Sequence, residues 1–143
     1  MPFIFASSTI KLVMPFFILN DKEFKAIVIE ITSVSQAEEE IKAVGVDSDY
    51  SIKLMANKAI FRSIKVNGVR NAMANILKQE MLSIGGDVAV HKDCVNCKVE
   101  KTDVIIMGTL RQFRMLITRM KIQVAESKAV INAIEKALNE SLK

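Results

Sequence analysis

The chain of 143 residues contains no Trp, a single Tyr and a single His, and only two Cys. Each scarcity removes something. With aromatics at 6% of residues, the core has to be built from Ile, Val, Leu, Met and Ala. A dedicated nucleic-acid binder adds exposed aromatics or a recognisable reading motif to its basic residues, and neither is visible, so nucleic acid is not expected as a partner. One His, close in sequence to both Cys, gives no credible Ser-His-Asp or Cys-His-Asp set. Paired carboxylates in a setting that would raise one pKa are also missing, and no catalytic residue or cofactor is expected. Cys94 and Cys97 are too close for an ordinary structural disulfide framework, and a secretory signal is not seen, which fits a reducing cytoplasm.

What is present is ordinary for a globular protein. Half the residues are hydrophobic and a quarter charged, and a chain of this length can bury a sizeable core as one domain. The formal net charge of +4 allows attraction to anionic ligands, and Arg111, Arg114, Arg119 and Lys121 carry much of the excess.

Residues 1–22 stand apart as an apolar extension. Lys11 interrupts their hydrophobic run, and Pro2 and Pro15 break any helix. A bilayer span needs about twenty clean apolar residues, so a membrane segment is not expected. The segment reads as an irregular extension, or as an extra strand pairing with the domain or with a second copy, and a homodimer is expected with this extension or the last two helices at its interface.

Residues 23–143 read as one domain. FKAIVIEIT alternates and is β-branched, which predicts a strand over Phe24–Thr32. Ser35 with Glu38 three residues later predicts a capped helix through Ala37, Ile41 and Val44, stopped by Gly45. Ile52–Met55 reads as a loose extended piece. In AIFRSIKV, Ile60, Arg62, Ile64 and Val66 point one way and Phe61, Ser63 and Lys65 the other, a strand ended by a turn at Asn67-Gly68. Met73, Ile76, Leu77, Met81 and Ile84 share one helical stripe ended by Gly85-Gly86. DVAVHKD is a further strand, followed by the Cys-containing turn. TDVIIMG then reads as a central strand covered on both faces. Two helices close the chain, with Leu110, Phe113, Ile117 and Met120 inward on the first and Val130, Ile131, Ile134 and Leu138 on the second. The order β-α-β-α-β-β-α-α predicts an α/β (α+β) single domain: a mixed sheet of about four to five strands with helices packed on it.

Three places invite chemistry. His91-x-x-Cys94-x-x-Cys97 offers three zinc-type ligands where a structural site needs four, so it would require Asp93, a water or a second subunit; the simpler reading is two semi-buried thiols and a surface His. Gly108-Thr109, between an apolar strand and a helix, presents free N–H groups and the positive end of the helix dipole, with Arg111 in the first turn. It reads either as a site for a small anion or as a tight turn with Thr109 as cap. Gly85-Gly86-Asp87 is accounted for by a helix C-cap leading into a strand.

The runs NILKQEMLSIGGDVAV and EKTDVIIMGTLRQF resemble the segment that precedes the catalytic barrel in certain clostridial and archaeal dihydropteroate synthases. The similarity covers about Phe24 to Leu138 and includes consecutive polar identities. It implies an accessory region of folate and pterin biosynthesis, with a synthase barrel or a second copy of the chain as partner. The family's chemistry, joining a pterin pyrophosphate to p-aminobenzoate, belongs to a separate (β/α)₈ barrel. That barrel's Asn-Val-Thr-Pro-Asp-Ser-Phe-type loop, Lys-bearing pterin site and Arg-x-His ending are missing here, so the resemblance carries over no catalytic residue. The other expectation kept open is a stand-alone module binding a small anion or phosphate, unrelated to pterins.

Overall fold

A computed structural model describes residues 23–122 and 125–143. The chain divides into two units, Met1–Glu30 and Ile31–Lys143. Of the first, residues 23–30 are described; they form no helix or strand, and Phe24, Ile27 and Val28 are exposed. The strand expected over Phe24–Thr32 is therefore absent. Its alternating sequence yields extended backbone, but a strand exists only where a neighbour accepts its hydrogen bonds. The expectations for residues 1–22 lie outside the described residues.

The second unit is α/β, as expected, with fewer strands. Helices α1 (Val34–Val44) and α2 (Asp49–Ala59) lead into strand β1 (Phe61–Arg70), helix α3 (Asn71–Ser83), strands β2 (Asp87–Ala89) and β3 (Lys101–Thr109), and helices α4 (Leu110–Met120) and α5 (Ala125–Ser141). Among the described residues the sheet has three strands in the order β1-β3-β2, antiparallel throughout. The parallel pairs that a mixed sheet would contain do not arise among the described residues. After α3 the chain returns as β2, which pairs with β3 and not with β1. No helix of the described residues is long and apolar enough to cross a membrane.

Burial in β3 alternates. Thr102, Val104, Ile106 and Gly108 are buried, whereas Lys101 and Asp103 are exposed and Ile105 keeps 39% of its surface in water. The strand is central in the sheet, but only one of its faces is covered, a correction to the reading of its apolar run. The covered face meets Met73, Ala74, Leu77 and Met81 of α3, Leu110, Phe113, Leu116, Ile117 and Met120 of α4, and Ile131, Ile134 and Leu138 of α5 in one core. Phe113 is the bulkiest fully buried side chain among the described residues. Truncating it to Ala costs about 3–5 kcal/mol by cavity formation.

Three local details differ from expectation. The α1 cap is Ser33, whose hydroxyl accepts from the Gln36 N–H at 3.2 Å, two residues earlier than the Ser35 box; Gly45 ends the helix at φ 111° as expected. Ile52–Met55 is helical, inside α2. Ser48 caps it, Asp49 and Lys58 sit at the ends where the helix dipole favours their charges, and Ile52 and Ala56 are buried one turn apart. Asn67-Gly68 is a bulge, not a turn: β1 keeps pairing with β3 beyond it, at Val69↔Thr102 and Arg70↔Lys101. Gly68 takes φ 65°, and its N–H donates to Asp103 Oδ1 at 3.0 Å.

Candidate functional site

The motifs at Gly85-Gly86-Asp87 and Gly108-Thr109, distant in sequence, meet in space. α3 ends with the Gly86 N–H on Met81 O at 2.9 Å and Gly85 at φ 89°. β2 then runs beside β3 with Asp87 opposite Met107. Thr109 caps α4 in a complete capping box: the Gln112 N–H donates to Thr109 Oγ1 at 3.2 Å, and the Thr109 N–H donates to Gln112 Oε1 at 2.8 Å. Gln112 Nε2 reaches back to Ile84 O at 3.1 Å. From the other side, Lys78 Nζ donates to Val88 O at 2.8 Å and lies 3.1 Å from Asp87 Oδ1. The Val88 N–H, 2.7 Å from Asp87 Oδ1, and then the Lys78 ammonium hold the Asp87 carboxyl below its ordinary value.

The glycines are needed for close approach. A Cβ on Gly86 would lie 2.4 Å from Met81 Cε and 2.9 Å from Met107 O, and one on Gly108 would lie 2.8 Å from the same Met81 Cε and 2.9 Å from Gln112 Oε1. The Met81 side chain therefore fits only because neither residue carries a Cβ.

This geometry commits three of the backbone donors that an anion at the start of α4 would use. The Leu110 N–H bonds to Ile60 O at 2.8 Å, and those of Thr109 and Gln112 are held in the capping box. Gly108 is buried. Among the described residues Arg111 makes no side-chain hydrogen bond to Gly108 or Thr109. It stands on the exposed side of α4, where Arg111, Arg114, Met115, Thr118 and Arg119 line a groove of about 380 Å³. Arg119 is engaged with Ser83 Oγ at 2.8 Å and Glu80 at 3.4 Å. Arg62 bonds to Ser141 and Thr32 O, and Arg70 to Glu126. Arg111 and Arg114, by contrast, make no ion pair or side-chain hydrogen bond among the described residues.

His91, Cys94 and Cys97 share a run of tight turns but do not form a ligand set. His91 Nδ1 is taken up by the Asp93 N–H at 3.0 Å, Cys94 is fully buried, and Cys97 is exposed. The two thiols are thus unlike, and not both semi-buried. Among the described residues no three His, Cys, Asp or Glu side chains are placed to hold a metal ion. Among those residues, too, every buried side-chain N or O atom has a partner.

Sequence reasoning missed Gln112, although Thr-x-x-Gln before an apolar stripe has the spacing of a capping box. It also missed Asn71 and Asn75, which donate to Val99 O at 2.8 Å and Cys94 O at 3.2 Å and so tie the Cys-containing turns to α3. Two Asn one helical turn apart at a helix start were the available signal. The chain matches no protein-family model, no curated protein and no solved structure.

Proposed function

We propose that this chain is a non-catalytic accessory domain of the kind that precedes the barrel in dihydropteroate synthases, serving folate and pterin biosynthesis in the cytoplasm by binding and not by chemistry. One observation carries the reading. The polar residues of the shared runs, Lys78, Asp87, Thr109 and Gln112, are bonded to the chain itself. They act as a brace between α3, β2 and α4, so the resemblance rests on residues that hold a domain together. The partner in this reading is a synthase barrel, with a second copy of the chain as a further partner. The surface offered is the outer side of α4, where Arg111 and Arg114, without an ion pair among the described residues, present two guanidinium groups to a partner's carboxylates.

The same two arginines favour a second reading, a stand-alone module for a small anion or phosphate. Calorimetry separates the two. The chain is titrated with a clostridial dihydropteroate synthase barrel and, separately, with inorganic phosphate, and assayed for condensation of a pterin pyrophosphate with p-aminobenzoate. The accessory reading expects saturable barrel binding, lost in an Arg111→Glu/Arg114→Glu variant, with no turnover by the chain alone. Phosphate binding without barrel binding supports the second reading. Turnover by the purified chain defeats both.

A further inference from the structure

The turns that follow β2 place two thiols of opposite character at the ends of one reverse turn. The Cys94 N–H donates to His91 O at 3.0 Å, and the Cys97 N–H donates to Cys94 O at 3.3 Å. A four-residue turn closed in this way keeps its end Cα atoms within about 7 Å, and a disulfide spans Cα atoms about 4.4–6.8 Å apart. Cys94 is fully buried, and its thiol donates to Asn71 O at 3.5 Å in the first turn of α3. Cys97 is exposed and takes φ 60°, the single non-glycine residue of the described chain at positive φ. Backbone held in that region is strained and persists only where its surroundings enforce it. Here the enforcement comes from the bonds of the turn itself, including the Lys98 N–H on Asp93 O at 3.2 Å and on Asn96 Oδ1 at 3.1 Å.

From this geometry we infer that Cys94 and Cys97 form a redox-active dithiol, which a small-molecule disulfide such as oxidised glutathione converts into a local disulfide. Cys97 is the attacking residue because water and reagent reach it. Its thiolate attacks one sulfur of the incoming disulfide; that S–S bond breaks, and one half leaves as a thiolate that takes up a proton. Cys94 then gives its proton to solvent, and its thiolate attacks Cys97 Sγ. The Cys94–Cys97 bond forms and the second half leaves as a thiol. One external disulfide is thereby reduced to two thiols, and two protein thiols are oxidised to one disulfide.

The order of events follows from the environments. Burial, and then the neighbouring Cys97, push the Cys94 thiol above its ordinary range, so little of it is thiolate near neutral pH. Closure of the mixed disulfide on Cys97 therefore speeds up as the pH rises. Closure also withdraws the Cys94 thiol from Asn71 O, beside the bonds that Asn71 and Asn75 make to Val99 O and Cys94 O. The oxidation state is thus felt at the start of α3.

The test uses the full chain, equilibrated in glutathione redox buffers, trapped with N-ethylmaleimide and weighed intact. The expected product is two hydrogens lighter than the reduced chain, has neither thiol available, and reverts with a phosphine reductant. Its equilibrium constant against glutathione should be at least about tenfold higher in the folded chain than in urea, which corresponds to about 30 mV. Cys97→Ser, a change at an exposed position, should leave Cys94 unmodified. Arrest at a glutathione adduct with Cys94 still free, disulfide-linked dimers, or equal constants in folded and unfolded chain would each overturn the inference. So would Cys97→Ser protein that takes glutathione on Cys94 at the parent rate.

Discussion

Gln112 joins the end of α3 to the start of α4: its Nε2 donates to Ile84 O at 3.1 Å while its Oε1 accepts the Thr109 N–H at 2.8 Å. One side chain thus satisfies a helix C-terminal carbonyl and completes a helix N-terminal box, and this sets the first prediction. Gln112→Ala removes both bonds and should lower unfolding stability by about 1–3 kcal/mol. Thr109→Ser keeps the hydroxyl acceptor and should cost less than Thr109→Ala, at about 1 kcal/mol for the Ala change. Urea denaturation with an unchanged m-value checks both; equal stability of Gln112→Ala and parent would remove the brace from the account.

The second prediction ranks two glycines. Gly68 sits at φ 65° with open space around the position a Cβ would take, so Gly68→Ala meets backbone strain alone, about 1–2 kcal/mol. At Gly86 an added Cβ meets the Met107 carbonyl oxygen at 2.9 Å as well as Met81 Cε. The methionine can swing aside but the strand backbone cannot. Gly86→Ala should therefore be the more damaging change, at about 1–3 kcal/mol or above, and should broaden the amide signals of β2 and the end of β3. Comparison of thermal midpoints and amide spectra of the two variants decides it.

The third concerns acid. The Val88 N–H and the Lys78 ammonium hold the Asp87 carboxyl below its ordinary value of 3.8. A folded-state pKa below the unfolded one gives stability that is fully present above the unfolded value and disappears as the pH falls through the folded one. The stability gap between the parent and Asp87→Asn should thus be steady near neutral pH and shrink as the pH drops below about 3.8. Lys78→Met should shrink that gap at neutral pH. A gap that does not change with acidity would show that Asp87 is not charged in its role.

The fourth concerns metal. His91 is held by the Asp93 N–H, Cys94 is buried, and Cys97 faces solvent, so the three do not form a ligand set. Chelation with EDTA should leave the thermal midpoint of the reduced chain unchanged. A stoichiometric zinc ion by mass spectrometry, whose removal unfolds the domain, is the result that would count against this.

Legibility in the sequence followed how much each segment depends on its neighbours. The stripes of α3 and α4 were readable because Met73, Leu77 and Met81, and Phe113, Ile117 and Met120, carry large apolar side chains at helical spacing and are all buried. α2 was not, because Tyr50, Ile52 and Leu54 alternate like a strand. Its true inward pair is Ile52 and Ala56, and a small Ala signals little; Tyr50 and Leu54 are exposed. The reverse failure occurred over Phe24–Thr32, where alternation is strong but pairing is absent. At Gly68 local composition favours turn and bulge alike, and only the partner strand decides between them. Of the candidate residues, Thr109 was legible as a cap from its position alone. The meeting of Gly85-Gly86-Asp87 with Gly108 depends on β2 pairing with β3, which no local pattern specifies.

Both outer strands of the three-stranded sheet bear on how the protein behaves when crowded. An edge strand is a template for unwanted lateral growth when it is long, flat and apolar. β2 is three residues long and begins with Asp87, and β1 is interrupted by the bulge at Gly68 and carries Arg62, Lys65 and Arg70. Neither offers the uninterrupted ladder that cross-β stacking requires. Concentrated solutions of the folded unit Ile31–Lys143 should accordingly resist fibre formation through its sheet edges, leaving the open sheet face around Ile105 and the helix surfaces as its routes to self-association.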